Sequence, residues 1–240
     1  RRRQRQMCIR DRTEIAGKVL AECTSLKSVT IGRSVTSIGD NAFSQCSSLG
    51  SVALPSSLTS IGKSAFYQCV KLNEMMLPTR LKTIGASAFS GCASLTWLSI
   101  PASVTEIGQQ AFKSCGNLRD VKIISSTEPL QFGASVFDGS NVLETLDLGR
   151  DITYPGNNSP FRDQDKLASL TIGQNVTSIG NSAFAGCSSL RSVTVPAGVT
   201  AIGDYAFSEC PALRVLQIDD CDQPLAFGIN VFGKDLSRSL

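Results

Sequence analysis

The stretch Ile38-Gly39-Asp40-Asn41-Ala42-Phe43-Ser44-Gln45-Cys46-Ser47-Ser48-Leu49-Gly50-Ser51-Val52-Ala53-Leu54-Pro55 decides the fold, because the chain keeps returning to it. It comes back as Ile61-Gly62-Lys63-Ser64-Ala65-Phe66-Tyr67-Gln68-Cys69 and as Ile84-Gly85-Ala86-Ser87-Ala88-Phe89-Ser90-Gly91-Cys92, then again from Ile107, Ile179 and Ile202. Adjacent copies are stepped by 23 residues. Self-similarity at that period marks a solenoid, in which each copy forms one coil and neighbours share a continuous core.

Two spacings lie inside each copy. Ile38, Ala42 and Cys46 recur at i, i+4, i+8 with Phe43 beside them, which predicts a short helical turn with one buried side. Val52 and Leu54 alternate with Ser51 and Ala53, the period of a strand with one buried face. Pro55, with no N–H for a ladder, closes that strand. Gly39 is expected to permit the bend into the helical turn, and Leu58-Thr59-Ser60-Ile61 to form a second short strand. One coil cannot stand alone. It buries about six side chains worth roughly 1.5–3 kcal/mol each, whereas fixing each of its backbone units costs about 1–2 kcal/mol.

A degenerate first coil runs from Ile15 to Cys23, and clean coils follow from Ile38, Ile61, Ile84 and Ile107. The next is irregular: between Ile123 and Phe137 it carries two extra residues, Phe132 takes the Ile slot, and Ser140 replaces the recurring cysteine. A turn-rich loop, Tyr154-Pro155-Gly156-Asn157-Asn158-Ser159-Pro160, comes next. The irregular type returns from Ile218 to Phe232, with Phe227 lying 95 residues after Phe132 just as Ile202 lies 95 after Ile107. A duplication of about four coils accounts for this. The sequence ends at Leu240 inside a coil without a polar capping segment, so a fragment of a longer protein is expected.

The formal charge of +3 is misleading, because residues 1–12 hold six of the 23 basic residues and one of the 20 acidic ones. The remainder is nearly neutral and offers no electrostatic footprint for nucleic acid. Residues 1–12 share nothing with the repeat and are set apart as a disordered or artefactual basic arm. Residues 13–240 are expected to form a single solenoid of about ten coils. No apolar run is long enough to span a membrane. Of nine cysteines, Cys23, Cys46, Cys69, Cys92, Cys115, Cys187 and Cys210 fall one per coil in the same slot. Stacking puts neighbours about 4.8 Å apart, wider than the roughly 3.5–4.5 Å a disulfide prefers between Cβ atoms. Buried free thiols are the expectation.

Catalytic constellations are missing. There is no histidine, so no Ser-His-Asp or Cys-His arrangement exists, and a single file of thiols cannot surround a tetrahedral zinc. Gly62-Lys63-Ser64 imitates the end of a phosphate-binding loop, but Ser57 stands where its upstream glycine belongs. Glu74, Glu106 and Asp120 occupy variable positions and read as solvated faces. Asn157-Asn158-Ser159 and Asn175-Val176-Thr177 fit the glycosylation acceptor pattern at near-chance frequency. The outward strand positions are mostly small and polar. The exception is Met76 beside Trp97, the single tryptophan, rimmed by Glu74, Ser99, Asp120 and Lys122. An exposed tryptophan with charged neighbours is the composition of a binding hot spot.

The Leu-x-x-Val-x-Ile-Pro and Val-Thr-x-Ile-Gly-x-x-Ala-Phe-x-x-Cys segments resemble the BspA-type (Treponema pallidum-type) leucine-rich repeat family over residues 13 to 240. The resemblance implies a right-handed leucine-rich-repeat coil, with a parallel sheet on one face and short helical turns or second short strands elsewhere. It also implies a surface or secreted protein of the kind that includes adhesins. The function expected is a non-enzymatic module, at the cell surface or outside the cell, that binds a protein or glycan partner and needs no cofactor. The alternative is a structural spacer or intracellular scaffold segment.

Overall fold

The computed structural model describes residues 13–220 and 223–233. The basic arm, with Cys8, and Cys221 lie outside them. Two strands recur in every coil. The first series is β1 (Glu14–Ile15), β3 (Ser37–Ile38), β5 (Ser60–Ile61), β7 (Thr83–Ile84), β9 (Glu106–Ile107), β11 (Leu130–Phe132), β13 (Ile152–Thr153), β15 (Ser178–Ile179), β17 (Ala201–Ile202) and β19 (Ala226–Phe227). The second is β2 (Ser28–Thr30), β4 (Ser51–Ala53), β6 (Glu74–Met75), β8 (Trp97–Ile100), β10 (Asp120–Ile123), β12 (Thr145–Leu148), β14 (Ser169–Ile172), β16 (Ser192–Val195) and β18 (Val215–Ile218). Coil 1 holds β1 and β2, coil 2 holds β3 and β4, and so on to coil 9, after which β19 opens a tenth.

Every pairing is parallel, and like residues meet: Ile38 pairs with Ile61, Ile61 with Ile84, and Ile84 with Ile107. The first series forms a sheet from β1 to β13 and another from β15 to β19; the second forms β2–β6, β8–β14 and β16–β18. Between them the core is a set of columns. Phe43, Phe66, Phe89 and Phe112 are buried and stack ring on ring at 5.1–5.2 Å. Offset aromatic pairs at that range add to what burial alone supplies.

The expected helical turn is not a helix. No α-helical element occurs among the described residues. Residues 39–46 form a ribbon of turns in which alternate N–H groups point two ways. Those of Ala42, Ser44 and Cys46 bond three residues back within the coil, while those of Asn41, Phe43 and Gln45 reach Lys63, Ala65 and Tyr67 of the next coil at 2.8, 2.8 and 2.6 Å. Asn41 and Gln45 carry positive φ, 56° and 60°, and it is this repeated left-handed residue that brings every fourth side chain inward. The glycine also has a different reason from the one expected. A Cβ on Gly85 would lie 2.6 Å from the Gly62 carbonyl carbon and the Lys63 nitrogen, so the coils can approach here only without one. The second short strand is present as β5 and its equivalents.

The cysteine slot is polar as well as apolar. Cys69, Cys92, Cys115, Cys187 and Cys210 are free and buried. Each donates its S–H to a phenylalanine carbonyl of the preceding coil at 3.1–3.3 Å. Ser140, which replaces cysteine in coil 6, gives the same bond to Phe112 at 3.0 Å and accepts the Cys115 N–H at 2.8 Å. Burial holds Cys69 and Cys115 thiols up to about 12 and Cys46 and Cys210 to about 11.

The irregular coils alter one corner. Three residues, Gly149-Arg150-Asp151, join β12 to β13, where five residues, 101–105, join β8 to β9. Arg150 is fully buried and fills the corner. Its guanidinium donates to Pro101 and Ala102 carbonyls at 3.0 Å each and to Glu128 at 3.4 Å. Carbonyls take the place of a counter-charge for its two terminal nitrogens, while the buried Nε–H has no hydrogen-bond partner.

Candidate interaction surface

The second-series strands place their outward residues in rows. Trp97, Asp120, Thr145 and Ser169 lie in one row, and Ser99, Lys122, Asp147 and Thr171 in the next. Strand pairing therefore puts Trp97 beside Asp120 and Ser99 beside Lys122, four of the six candidates chosen from sequence. Met76 follows β6 directly and is 74% exposed, while Trp97 is 40% exposed. Glu74 opens β6 and pairs with Ser51. No ladder pair joins β6 to β8 among the described residues, so the Met76–Trp97 step sits where this sheet divides.

The rim charges are engaged sideways. The Thr145 hydroxyl donates to the Asp120 carboxylate, and Lys122 Nζ lies 3.6 Å from Asp147. Asp120 is exposed, as expected of a solvated face, and its carboxylate is also bonded to the neighbouring coil. Two further ion pairs cross the same junction, Lys113–Asp138 at 3.0 Å and Arg119–Glu144 at 2.6 Å. Coil 5 supplies the cation each time and coil 6 the anion. The signal was in the sequence: each pair is spaced 25 residues, the repeat plus the two extra residues of the irregular coil. Apart from Trp97, the outward positions from β8 to β16 are small, hydroxylic or tied into such contacts. The hydroxyls of both glycosylation-pattern segments are also occupied, Ser159 by the Ala183 carbonyl at 2.6 Å and Thr177 by Asp151 at 2.5 Å.

Among the described residues no group of three or more Cys, Asp or Glu is placed to hold a metal, and no helix is long and apolar enough to cross a membrane.

Parallel strands stacked at a 23-residue step, with columns of Phe, Cys and Ile between them, define a leucine-rich-repeat solenoid. The chain belongs to the BspA type leucine rich repeat region family, whose model matches it in six copies over residues 13–143 and 122–232. A leucine-rich repeat protein of Bacteroides ovatus superposes with a TM-score of 0.64 at 28% identity, covering 89% of this chain and 60% of the other. The chain thus spans about three-fifths of that protein. The leucine-rich repeat protein of Treponema pallidum is 25% identical with a TM-score of 0.39, over 95% of this chain and 74% of the other. No curated protein matches the chain.

Proposed function

We propose that this chain is a non-enzymatic recognition module, displayed at the cell surface or secreted, that binds a protein or glycan partner on its second-series strands. The Met76–Trp97 step is the anchor, and Glu74, Ser99, Asp120 and Lys122 form the rim. One observation carries the reading: two large apolar side chains stand open on neighbouring coils, whereas the outward positions from β10 to β16 are small, hydroxylic or internally paired. Surfaces of that composition mark binding sites more often than random exposure does. Membership of a repeat family that works as a scaffold supports the non-enzymatic part.

Because Trp97 is the sole tryptophan, its emission reports on the site directly. Binders selected from glycan and peptide arrays should blue-shift Trp97 on titration, and Trp97→Ala should weaken them at least tenfold while leaving the fold intact. Binders that hold Trp97→Ala as tightly as the parent would remove the anchor from the account. The spacer or scaffold reading, which the lateral pairing of Lys122 and Asp120 favours, expects arrays to yield no specific binder at all.

A further inference from the structure

Both strand ladders stop at one place. The first-series sheet ends at β13 and resumes at β15; the second ends at β14 and resumes at β16. The junction of coils 7 and 8 is the one where neither face carries a ladder pair among the described residues.

What replaces the ladder is side chains, position by position. In the regular stack two successive N–H groups converge on one main-chain carbonyl of the preceding coil: Thr59 and Ser60 on Thr36 at 2.8 and 3.3 Å, Lys82 and Thr83 on Thr59 at the same distances. At coil 8 the equivalent pair, Thr177 and Ser178, converges on Oδ1 of Asp151 at 2.8 and 3.0 Å. The carboxylate stands in for a carbonyl, while the Asp151 main-chain carbonyl accepts the Leu130 N–H of the preceding coil at 2.9 Å. The turn ribbon shows the same exchange. In the regular stack the Lys63 and Ala65 carbonyls accept N–H groups of Asn41 and Phe43. Their equivalents, Asn181 and Ala183, accept instead from the Tyr154 hydroxyl at 2.9 Å and the Ser159 hydroxyl at 2.6 Å. Of the three turn bonds only Asp163 to Ala185, 2.7 Å, survives as main chain. The rings are looser too, with Phe161 and Phe184 6.3 Å apart. Gly180 is needed because a Cβ there would lie 2.4 Å from the Tyr154 oxygen.

We infer that the solenoid is two stiff blocks, residues 13–172 and 178–233, hinged at the junction of coils 7 and 8 and latched by Asp151, Tyr154 and Ser159. A ladder rung fixes the backbones of both coils at once, whereas a side-chain bridge gives through its own rotatable bonds. Motion therefore concentrates where main-chain pairing is absent. The hinge would let the second block reorient relative to the exposed Met76–Trp97 step on the first.

Nitroxide pairs on the exposed first-series face test this. Thr105→Cys with Thr200→Cys spans four coils across the junction; Thr13→Cys with Thr105→Cys spans four coils within the first block. Cys8, Cys23 and Cys221 are changed to serine, leaving the buried thiols unlabelled. Pulsed dipolar spectroscopy should give a distance distribution at least twice as broad for the crossing pair. Asp151→Ala, or Tyr154→Phe should the first variant misfold, should broaden it further and leave the control unchanged. Equal widths for the two pairs overturn the hinge; a crossing width that ignores both substitutions overturns the latch.

Discussion

The junction of coils 3 and 4 and the junction of coils 7 and 8 do the same task with different parts. At the first, β5 pairs with β7 and the turn ribbons exchange three main-chain bonds, Ser64 to Ala86, Phe66 to Ala88 and Gln68 to Ser90, at 2.7–2.9 Å. At the second, a carboxylate and two hydroxyls occupy the same positions. On the first-series face and in the turn ribbon, regular coil length is therefore what lets the backbone pair unaided, even here where the second-series sheet divides between β6 and β8. Once a corner is cut, each rung needs a particular side chain of the right reach, and rigidity becomes a property of single residues.

The largest expected effect is alkaline. A thiol released by unfolding ionises near its ordinary value of 9, while Cys69 and Cys115 hold their protons to about 12 in the fold because burial disfavours the thiolate. Unfolding then releases protons between those limits. The stability these thiols contribute is complete below pH 9 and is lost as pH rises towards 12, on the order of 3–4 kcal/mol for each. Four buried thiols, Cys46, Cys69, Cys92 and Cys115, lie before the junction and two, Cys187 and Cys210, after it. Urea midpoints measured from pH 8 to 11, with exchange read by peptide, should show the first block losing protection first. Both blocks failing together would erase the distinction.

Next come the rings. Phe89→Ala removes a fully buried ring held between neighbours at 5.2 Å on both sides and should cost about 3–5 kcal/mol. Phe161→Ala, beside the looser junction, should fall at the low end of that range. Equal denaturation midpoints for the two variants would mean the junction packs as tightly as the rest. Asp151→Ala should cost about 1.5–3 kcal/mol, since three donors lose a charged acceptor. Thr36→Ala, which loses one hydroxyl bond to the Thr13 carbonyl, should cost about 0.5–1.5 kcal/mol. Reversal of that order in thermal melts would show the latch to be idle. Smallest is Glu144→Gln: the Arg119 pair is half exposed, so the change should stay below about 1 kcal/mol and vanish in high salt.

The regular coils were legible because a dozen positions repeat them. Their columns of Phe, Ile and Cys follow from period alone, and the 25-residue charge offset would have given the ion pairs at coil 5. The turn ribbon was misread as helical because a left-handed residue at every fourth position buries the same side chains that a helix would. Asn41 and Gln45 were the discriminating residues, and neither is decisive from sequence. The sequence reading placed Trp97, Asp120, Ser99 and Lys122 on one strand face, and pairing puts them there. Asp151 was not legible, because its partner lies 26 residues away, off the repeat, and only a shortened corner explains the reach. Arg150 was not legible either, because its guanidinium is held by the Pro101 and Ala102 carbonyls two coils back and the Glu128 carbonyl one coil back, contacts that lie off the repeat.

All of this requires that equivalent residues of successive coils touch. Ring-to-ring nuclear Overhauser effects among selectively labelled phenylalanines test it directly. Phe43–Phe66, Phe66–Phe89 and Phe89–Phe112 cross-peaks in unbroken sequence are the expected result, as rings 5.1–5.2 Å apart demand. Strong contacts between non-neighbouring rings, such as Phe43 and Phe112, with the neighbour contacts missing, would contradict the stack and everything built on it.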